Sequence, residues 1–127
     1  MMNRWMLPVC LALAANLSLA QGNSDKTVNV TVNGAAITAN PDPVAMSKQH
    51  NKLRWELKSS GYTFADNGIV IQGNGGDYGD CGIKGKDKRM FECKKLKHAD
   101  GKRFKYDINL LNAAGQSISV DPVIQND

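Results

Sequence analysis

The chain has 127 residues, with 16 basic and 12 acidic side chains and a formal net charge of +4. A chain of this length builds one small domain around one core, which excludes an arrangement of several domains. After the first 20 residues, no apolar stretch approaches the about 20 residues that a membrane-spanning helix needs.

Residues 1–20 have the three parts of a secretory signal peptide. Arg4 supplies a positive start, and an apolar run follows it. Ser18 and Ala20 then place small residues at the −3 and −1 positions of a cleavage site. We therefore predict a signal peptide at residues 1–20, a mature domain at residues 21–127, and a periplasmic or secreted location.

Two cysteines, Cys81 and Cys93, remain after the predicted cleavage site. Export places them in an oxidising compartment, where such a pair normally forms a disulfide. The bond would close a loop of 13 residues. On the entropic model, closing a loop of that size stabilises a fold by about 3 kcal/mol. We therefore predict a Cys81–Cys93 disulfide.

Alternating apolar and polar residues predict strands along the rest of the chain. In chain order the segments are TVNVTVNG, KLRWELK, GYTF, RFKYDINLL and QSISV. Successive side chains of a strand point to opposite faces, so strict alternation indicates a half-buried strand. Proline, Asn-Gly and a glycine-rich loop separate the segments. This pattern predicts an all-β fold, as a single immunoglobulin-like antiparallel sandwich of about seven strands.

The apolar positions of these strands define the expected core. Trp55 is the one tryptophan after the predicted cleavage site, and we expect it at the centre because a large aromatic side chain buries the most area. The expected core residues are Val28, Val30, Leu53, Trp55, Leu57, Phe64, Ile69, Ile71, Phe91, Tyr106, Ile108, Leu110, Ile118 and Val120.

Residues 84–105 hold ten basic and three acidic side chains. Such a positive segment attracts anionic polymers, lipid headgroups or an acidic protein surface. Alternatively, its lysines protect an edge strand from pairing with other chains. Nucleic acid is not an expected partner, because aromatic residues do not interleave the lysines as stacking platforms. The predicted binding residues are Lys84, Lys86, Lys88, Arg89, Lys94, Lys95, Lys97, Lys102, Arg103 and Lys105, with Lys94, Lys95 and Lys97 expected to be essential.

A copper site is the alternative function. His50, Cys93 and His98 resemble the ligand order of azurin-like cupredoxins, including a Cys-x4-His loop before a late strand. Lys102 stands where such proteins place the axial methionine, and its ammonium group would oppose a cation. Cys81 also offers Cys93 a different partner. The alternative is therefore a cupredoxin-type electron carrier with an imperfect ligand set.

Other chemistry finds little support in the sequence. The chain has no Gly-x-Ser-x-Gly or His-Glu-x-x-His motif, and we predict a protein that is not an enzyme and has no catalytic residue, metal or cofactor. The GNGGDYGD stretch echoes the glycine–aspartate turns of calcium-binding β-rolls. It occurs once, whereas such turns share ligands with tandem neighbours, so a loop around Cys81 is the favoured interpretation.

Several stretches resemble a group of small exported proteins of Gram-negative bacteria. They are PDPVAMSKQHNKLRWELKSSGYTFADNGIVI, the Cys81 and Cys93 pair, FKYDINL and DPVIQND, which together cover most of residues 21–127. The resemblance implies a small β-sandwich with its two cysteines bonded, and it implies no particular activity. The whole sequence thus predicts an exported, non-enzymatic β-sandwich protein with a binding or structural role.

Overall fold

The structure is a computed structural model that describes residues 25–127. The predicted signal peptide, residues 1–20, lies outside the described residues. The described part of the chain forms ten strands and no helix. They are β1 (Asp25–Asn33), β2 (Ala36–Asn40), β3 (Val44–Met46), β4 (Lys52–Leu57), β5 (Tyr62–Ile71), β6 (Tyr78–Lys84), β7 (Met90–Lys95), β8 (Arg103–Asn112), β9 (Ser117–Val120) and β10 (Val123–Asn126).

The strands form two packed sheets. One sheet has the order β2-β1-β4-β7-β6, and the other has the order β3-β10-β8-β5, with β9 also paired to β8. Strand β1 runs parallel to β4, and β3 runs parallel to β10, while the other pairs are antiparallel. This arrangement confirms the predicted all-β sandwich.

The core lies between the two sheets, with Trp55 at its centre. The Trp55 side chain is fully buried, and its ring centroid lies 5.4 Å from that of Tyr106 and 6.4 Å from that of Phe91. Most of the expected core residues are buried, but Ile71, Ile118 and Val120 are only partly buried. Seven further residues also belong to the core, namely Ile37, Val44, Met46, Tyr78, Cys93, Phe104 and Ile124.

Strand β6 forms one edge of its sheet and pairs with β7 alone. Its register with β7 shifts between Gly79 and Gly82, which is a β-bulge. A bulge at an edge bends the strand and interrupts the row of free backbone groups that another chain could join. The β6–β7 hairpin carries the first half of the basic segment at this edge of the sheet. Residues 25–127 contain no helix able to cross a membrane.

Candidate anion-binding surface

The structure does not bring the ten predicted basic residues into one continuous surface. Lys84 ends β6 and residues 85–89 form the turn that leads into β7; we call residues 84–89 the hairpin tip. Lys94, Lys95 and Lys97 lie at the opposite end of β7, and a six-residue strand spans roughly 20 Å. Arg103 and Lys105 belong to β8 in the other sheet. The basic segment is thus divided among three places.

Most of the cations beyond the tip already have partners. Three lysines form ion pairs with aspartates, which are Lys94–Asp80 at 3.4 Å, Lys102–Asp77 at 3.3 Å and Lys105–Asp121 at 3.4 Å. Arg103 donates a hydrogen bond of 3.2 Å to the Oε1 atom of Gln125. An external anion that approached one of these three lysines would therefore also meet the carboxylate of its aspartate partner, which would repel the anion.

Lys95 belongs to the framework of the molecule. Its side chain is half-buried, its Nζ atom donates to the carbonyl of Ser47, and Nζ lies 2.8 Å from Nδ1 of His98. Burial lowers the pKa of Lys95 below the ordinary lysine value. We therefore assign Lys95 a structural role, because replacing it with glutamate would leave the Ser47 carbonyl facing a carboxylate.

Backbone bonds and Arg89 anchor the hairpin tip to the sandwich. The half-buried Arg89 guanidinium donates to the carbonyls of Leu57 at 3.0 Å and Tyr62 at 3.4 Å. The carbonyl of Lys88 accepts a bond of 2.9 Å from the amide of Phe64. The tip is therefore held against the ends of β4 and β5, so the fold fixes the backbone positions of its lysines.

Three lysines of the tip are exposed and free of ion pairs. Lys84, Lys86 and Lys88 point to solvent, and none of them is paired with a carboxylate of residues 25–127. Asp87 is the one acidic residue of the tip. Lys97, beyond the far end of β7, also lacks an ion pair within the described chain, but its neighbours Lys94 and Lys95 both have partners. Uncompensated positive charge is thus concentrated at the tip.

A groove of about 390 Å³ lies beside the tip, on the outer face of β4, β6 and β7. Its charged lining consists of Lys52, Lys84, Lys94, Asp80 and Glu92, and Gly82 and the disulfide complete it. The groove exists because β6 carries glycine at its centre, where a Cβ atom on Gly82 would meet no atom within 4 Å. Lys84 belongs to both the tip and the groove.

Glu92 is the buried charge of this groove, with only 9% of the residue exposed. Its carboxylate accepts a hydrogen bond of 2.7 Å from Nε of Arg54 and lies 3.7 Å from Nζ of Lys52. Burial alone would raise the pKa of Glu92, but the Arg54 hydrogen bond and the nearby cations outweigh it and lower that pKa. Glu92 therefore stays ionised and holds Lys52 and Arg54 in place.

The predicted disulfide is confirmed, because Cys81 and Cys93 are bonded to each other. Cys93 is 1% exposed and faces the core, whereas Cys81 is exposed on the edge strand. The bond links β6 to β7 beside the bulge. It fastens the edge strand at the place where the hydrogen-bonded register is interrupted.

In the structure, the three residues of the copper alternative make other interactions. Cys93 carries no free thiolate, because its sulfur is bonded to Cys81. Nδ1 of His50 accepts a bond of 3.0 Å from the amide of Ser47, and Nδ1 of His98 faces Lys95. Within residues 25–127, no group of three or more potential ligands is placed to hold a metal. The three copper-ligand residues thus have other partners.

The glycine-rich loop is likewise held by the protein itself. The carbonyl of Asp77 accepts bonds from the amides of Leu96 at 2.7 Å and Lys97 at 3.2 Å. The carboxylates of Asp77 and Asp80 are each paired with a lysine. The loop therefore fastens the chain that leaves β7, and both of its carboxylates face ammonium groups.

Sequence reasoning missed two parts of this surface, Lys52 and Gly82. Lys52 lies outside the basic segment, and only the pairing of β4 with β7 brings it beside Lys94. The sequence pattern predicts a loop around Cys81, whereas Gly82 lies within strand β6. The outward positions of β4 were a usable signal for Lys52, because its inward neighbours are apolar.

Comparisons with known proteins add no family to this description. No protein-family model matches the chain, and no curated protein matches it significantly.

Proposed function

We propose that the protein is an exported, non-enzymatic binding module that contacts an anionic partner through the hairpin tip. One observation carries the proposal. Lys84, Lys86 and Lys88 are exposed on the anchored hairpin tip and form no ion pair within residues 25–127, whereas Lys94, Lys102 and Lys105 are each paired with an aspartate. The tip can therefore give its charge to a ligand without breaking an internal ion pair.

The proposed contact lies at the hairpin tip and not at the far end of β7. Lys94 is paired with Asp80, and Lys95 is part of the framework. Neither residue is free to serve an external anion, and a glutamate at position 95 would damage the fold. The expectation that Lys94, Lys95 and Lys97 are essential is thus replaced by a contact at Lys84, Lys86 and Lys88.

Export and a finer fold assignment belong to the same proposal. The Cys81–Cys93 disulfide supports an oxidising, extracytoplasmic location. An immunoglobulin-like topology is supported by the strand order, because β4-β7-β6 and β10-β8-β5 correspond to the two facing sheets of that fold. Strands β1 and β2 would then be an added hairpin. The disulfide departs from the pattern of antibody domains, since it lies within one sheet.

The experiment compares two variants with the same change in charge. In the tip variant, Lys84, Lys86 and Lys88 become Gln, and in the control variant, Lys48, Arg103 and Lys105 become Gln. Binding of inorganic polyphosphate is measured by calorimetry at about 10 mM ionic strength, where the screening length is about 30 Å. A lysine near an anionic surface contributes about 1 kcal/mol, so the tip variant should lose about a hundredfold in affinity.

The control variant should bind almost as well as the wild type, because Lys48 and Lys105 are paired with aspartates. Equal losses in both variants would mean that net charge alone drives binding, and the tip would lose its special role. A wild-type protein that binds no polyanion at low ionic strength would remove the proposed function.

A further inference from the structure

The groove beside the tip points to a more specific ligand. Its volume of about 390 Å³ falls in the range of small-molecule sites, which is about 300–1,000 Å³. It is contiguous with the tip through Lys84. We infer that the groove holds one sugar unit of an acidic polysaccharide, with one negative charge per sugar and free hydroxyl groups, while further units lie along the tip. This inference rests on the proposed function.

The charge of the groove suits a ligand unit with a single negative charge. Lys52, Lys84 and Lys94 face Asp80 and Glu92, which leaves a surplus of one positive charge. Lys84 is the unpaired member, and Lys94 and Asp80 form an exposed pair at 3.4 Å.

The carboxylates also select for hydroxyl groups. Asp80 is exposed at the rim, with 75% of its side chain accessible, and an ionised carboxylate only accepts hydrogen bonds. A sugar hydroxyl can donate to Asp80 while the acid group of the same sugar meets Lys84. Among residues 25–127, no aromatic side chain lines the groove, so these residues offer a nucleobase no stacking partner.

The edge of the sheet argues against an acidic peptide that joins it as an added strand. Strand addition needs an uninterrupted row of backbone donors and acceptors. The bulge between Gly79 and Gly82 interrupts that row in β6, and Asp80 has a positive φ of 50°. A polysaccharide needs no such row, because it is held through side chains.

The test fills the groove without changing its charge. Gly82→Leu adds a side chain to a residue that lines the groove, at a position where a Cβ atom would meet nothing within 4 Å. Thr38→Leu is the matched control, at an exposed position of β2 at the opposite edge of the same sheet. The probes are oligogalacturonate and inorganic polyphosphate, and the latter has no free hydroxyl groups along its chain.

We expect Gly82→Leu to weaken oligogalacturonate binding by about tenfold or more, as a steric misfit in a ligand pocket does. Polyphosphate binding, which uses the tip alone, should be unchanged, and Thr38→Leu should change neither. If Gly82→Leu binds oligogalacturonate like the wild type, or weakens both probes equally, the groove inference is overturned while the tip proposal stands. If the wild type binds neither probe, both the groove inference and the tip proposal are contradicted.

A second measurement covers a failure of Gly82→Leu to fold. In the wild-type protein, oligogalacturonate should shift the amide resonances of Gly82 and Cys93, and polyphosphate should leave them in place. Equal shifts with both probes, or none with oligogalacturonate, would contradict the sugar site.

Discussion

At the scale of single residues, Glu92 shows how a charge can be kept nearly buried on the face of a sheet. Its carboxylate takes a short hydrogen bond from Arg54 and lies close to Lys52. Arg54 in turn reaches Asp25 at 3.4 Å, so the network joins three neighbouring strands, β1, β4 and β7. Because the pKa of Glu92 is lowered in the folded protein, its ionisation contributes to stability.

That contribution has a defined dependence on pH. It is fully present above the ordinary carboxyl pKa of 4.5 and is lost as the pH falls through the lower folded-state value. Glu92→Gln should reduce the free energy of unfolding at pH 7 by about 1.5–3 kcal/mol, the range for a hydrogen bond to a charged group. Below the carboxyl pKa, the difference between variant and wild type should shrink. Urea unfolding at several pH values measures it.

Glu56→Gln is the matched control for this prediction. Glu56 lies on the same strand face as Arg54, but its partner Lys58 is half-exposed. Such a surface substitution should change the free energy of unfolding by about 0.5 kcal/mol or less. Parallel pH profiles for wild type and Glu92→Gln would contradict the role given to Glu92.

At the scale of elements, the β6–β7 hairpin depends on the disulfide more than the central strands do. Strand β6 has a single hydrogen-bonded neighbour, and its register is broken by the bulge. Replacing both Cys81 and Cys93 with Ala should destabilise the fold by about 3 kcal/mol, the value for a closed loop of this size.

The stability that is lost when the disulfide is removed should not be lost evenly along the chain. In hydrogen exchange, the amides of β6 should lose protection first, while those of β1 and β4 in the same sheet keep theirs. An edge strand opens locally at lower free energy than a central strand. Uniform loss of protection across the sheet would contradict this view, and it would make the disulfide a constraint on the whole fold.

Long strands are easier to predict from sequence than short ones, although QSISV also indicates the four-residue β9. Strands β1, β4 and β8 have six to ten residues, enough to display alternation, and each was expected. Strands β3 and β10 have three and four residues, too few to show a period, so Val44 and Ile124 were missing from the expected core. These two short strands, together with β2, account for the difference between about seven strands and ten.

At the scale of the whole molecule, the pairing of strands that are distant in sequence determines the neighbour and the direction of each strand. Alternation gives the inward face of each strand, but not its neighbour or its direction. The parallel pairs β1–β4 and β3–β10 are therefore absent from the prediction. The same holds for the basic segment, which is continuous in sequence but passes from one sheet to the other between β7 and β8.

The distribution of charge over the whole molecule follows from this division. Ion pairs with aspartates compensate Lys94, Lys102 and Lys105, whereas the three exposed lysines of the tip form no ion pair within residues 25–127. Sequence composition could reveal the excess of lysine in residues 84–105, but only the fold shows which lysines have partners. This selection among lysines is the basis of the proposed function.

The most direct test of the central claim is an amide NMR titration of the wild-type protein with inorganic polyphosphate at low ionic strength. We expect the largest shift changes at residues 84–89, with little change at Lys94, Lys102 and Lys105. Changes centred on residues 94–105, or spread evenly over all lysines, would contradict the claim that the hairpin tip is the anion-binding surface.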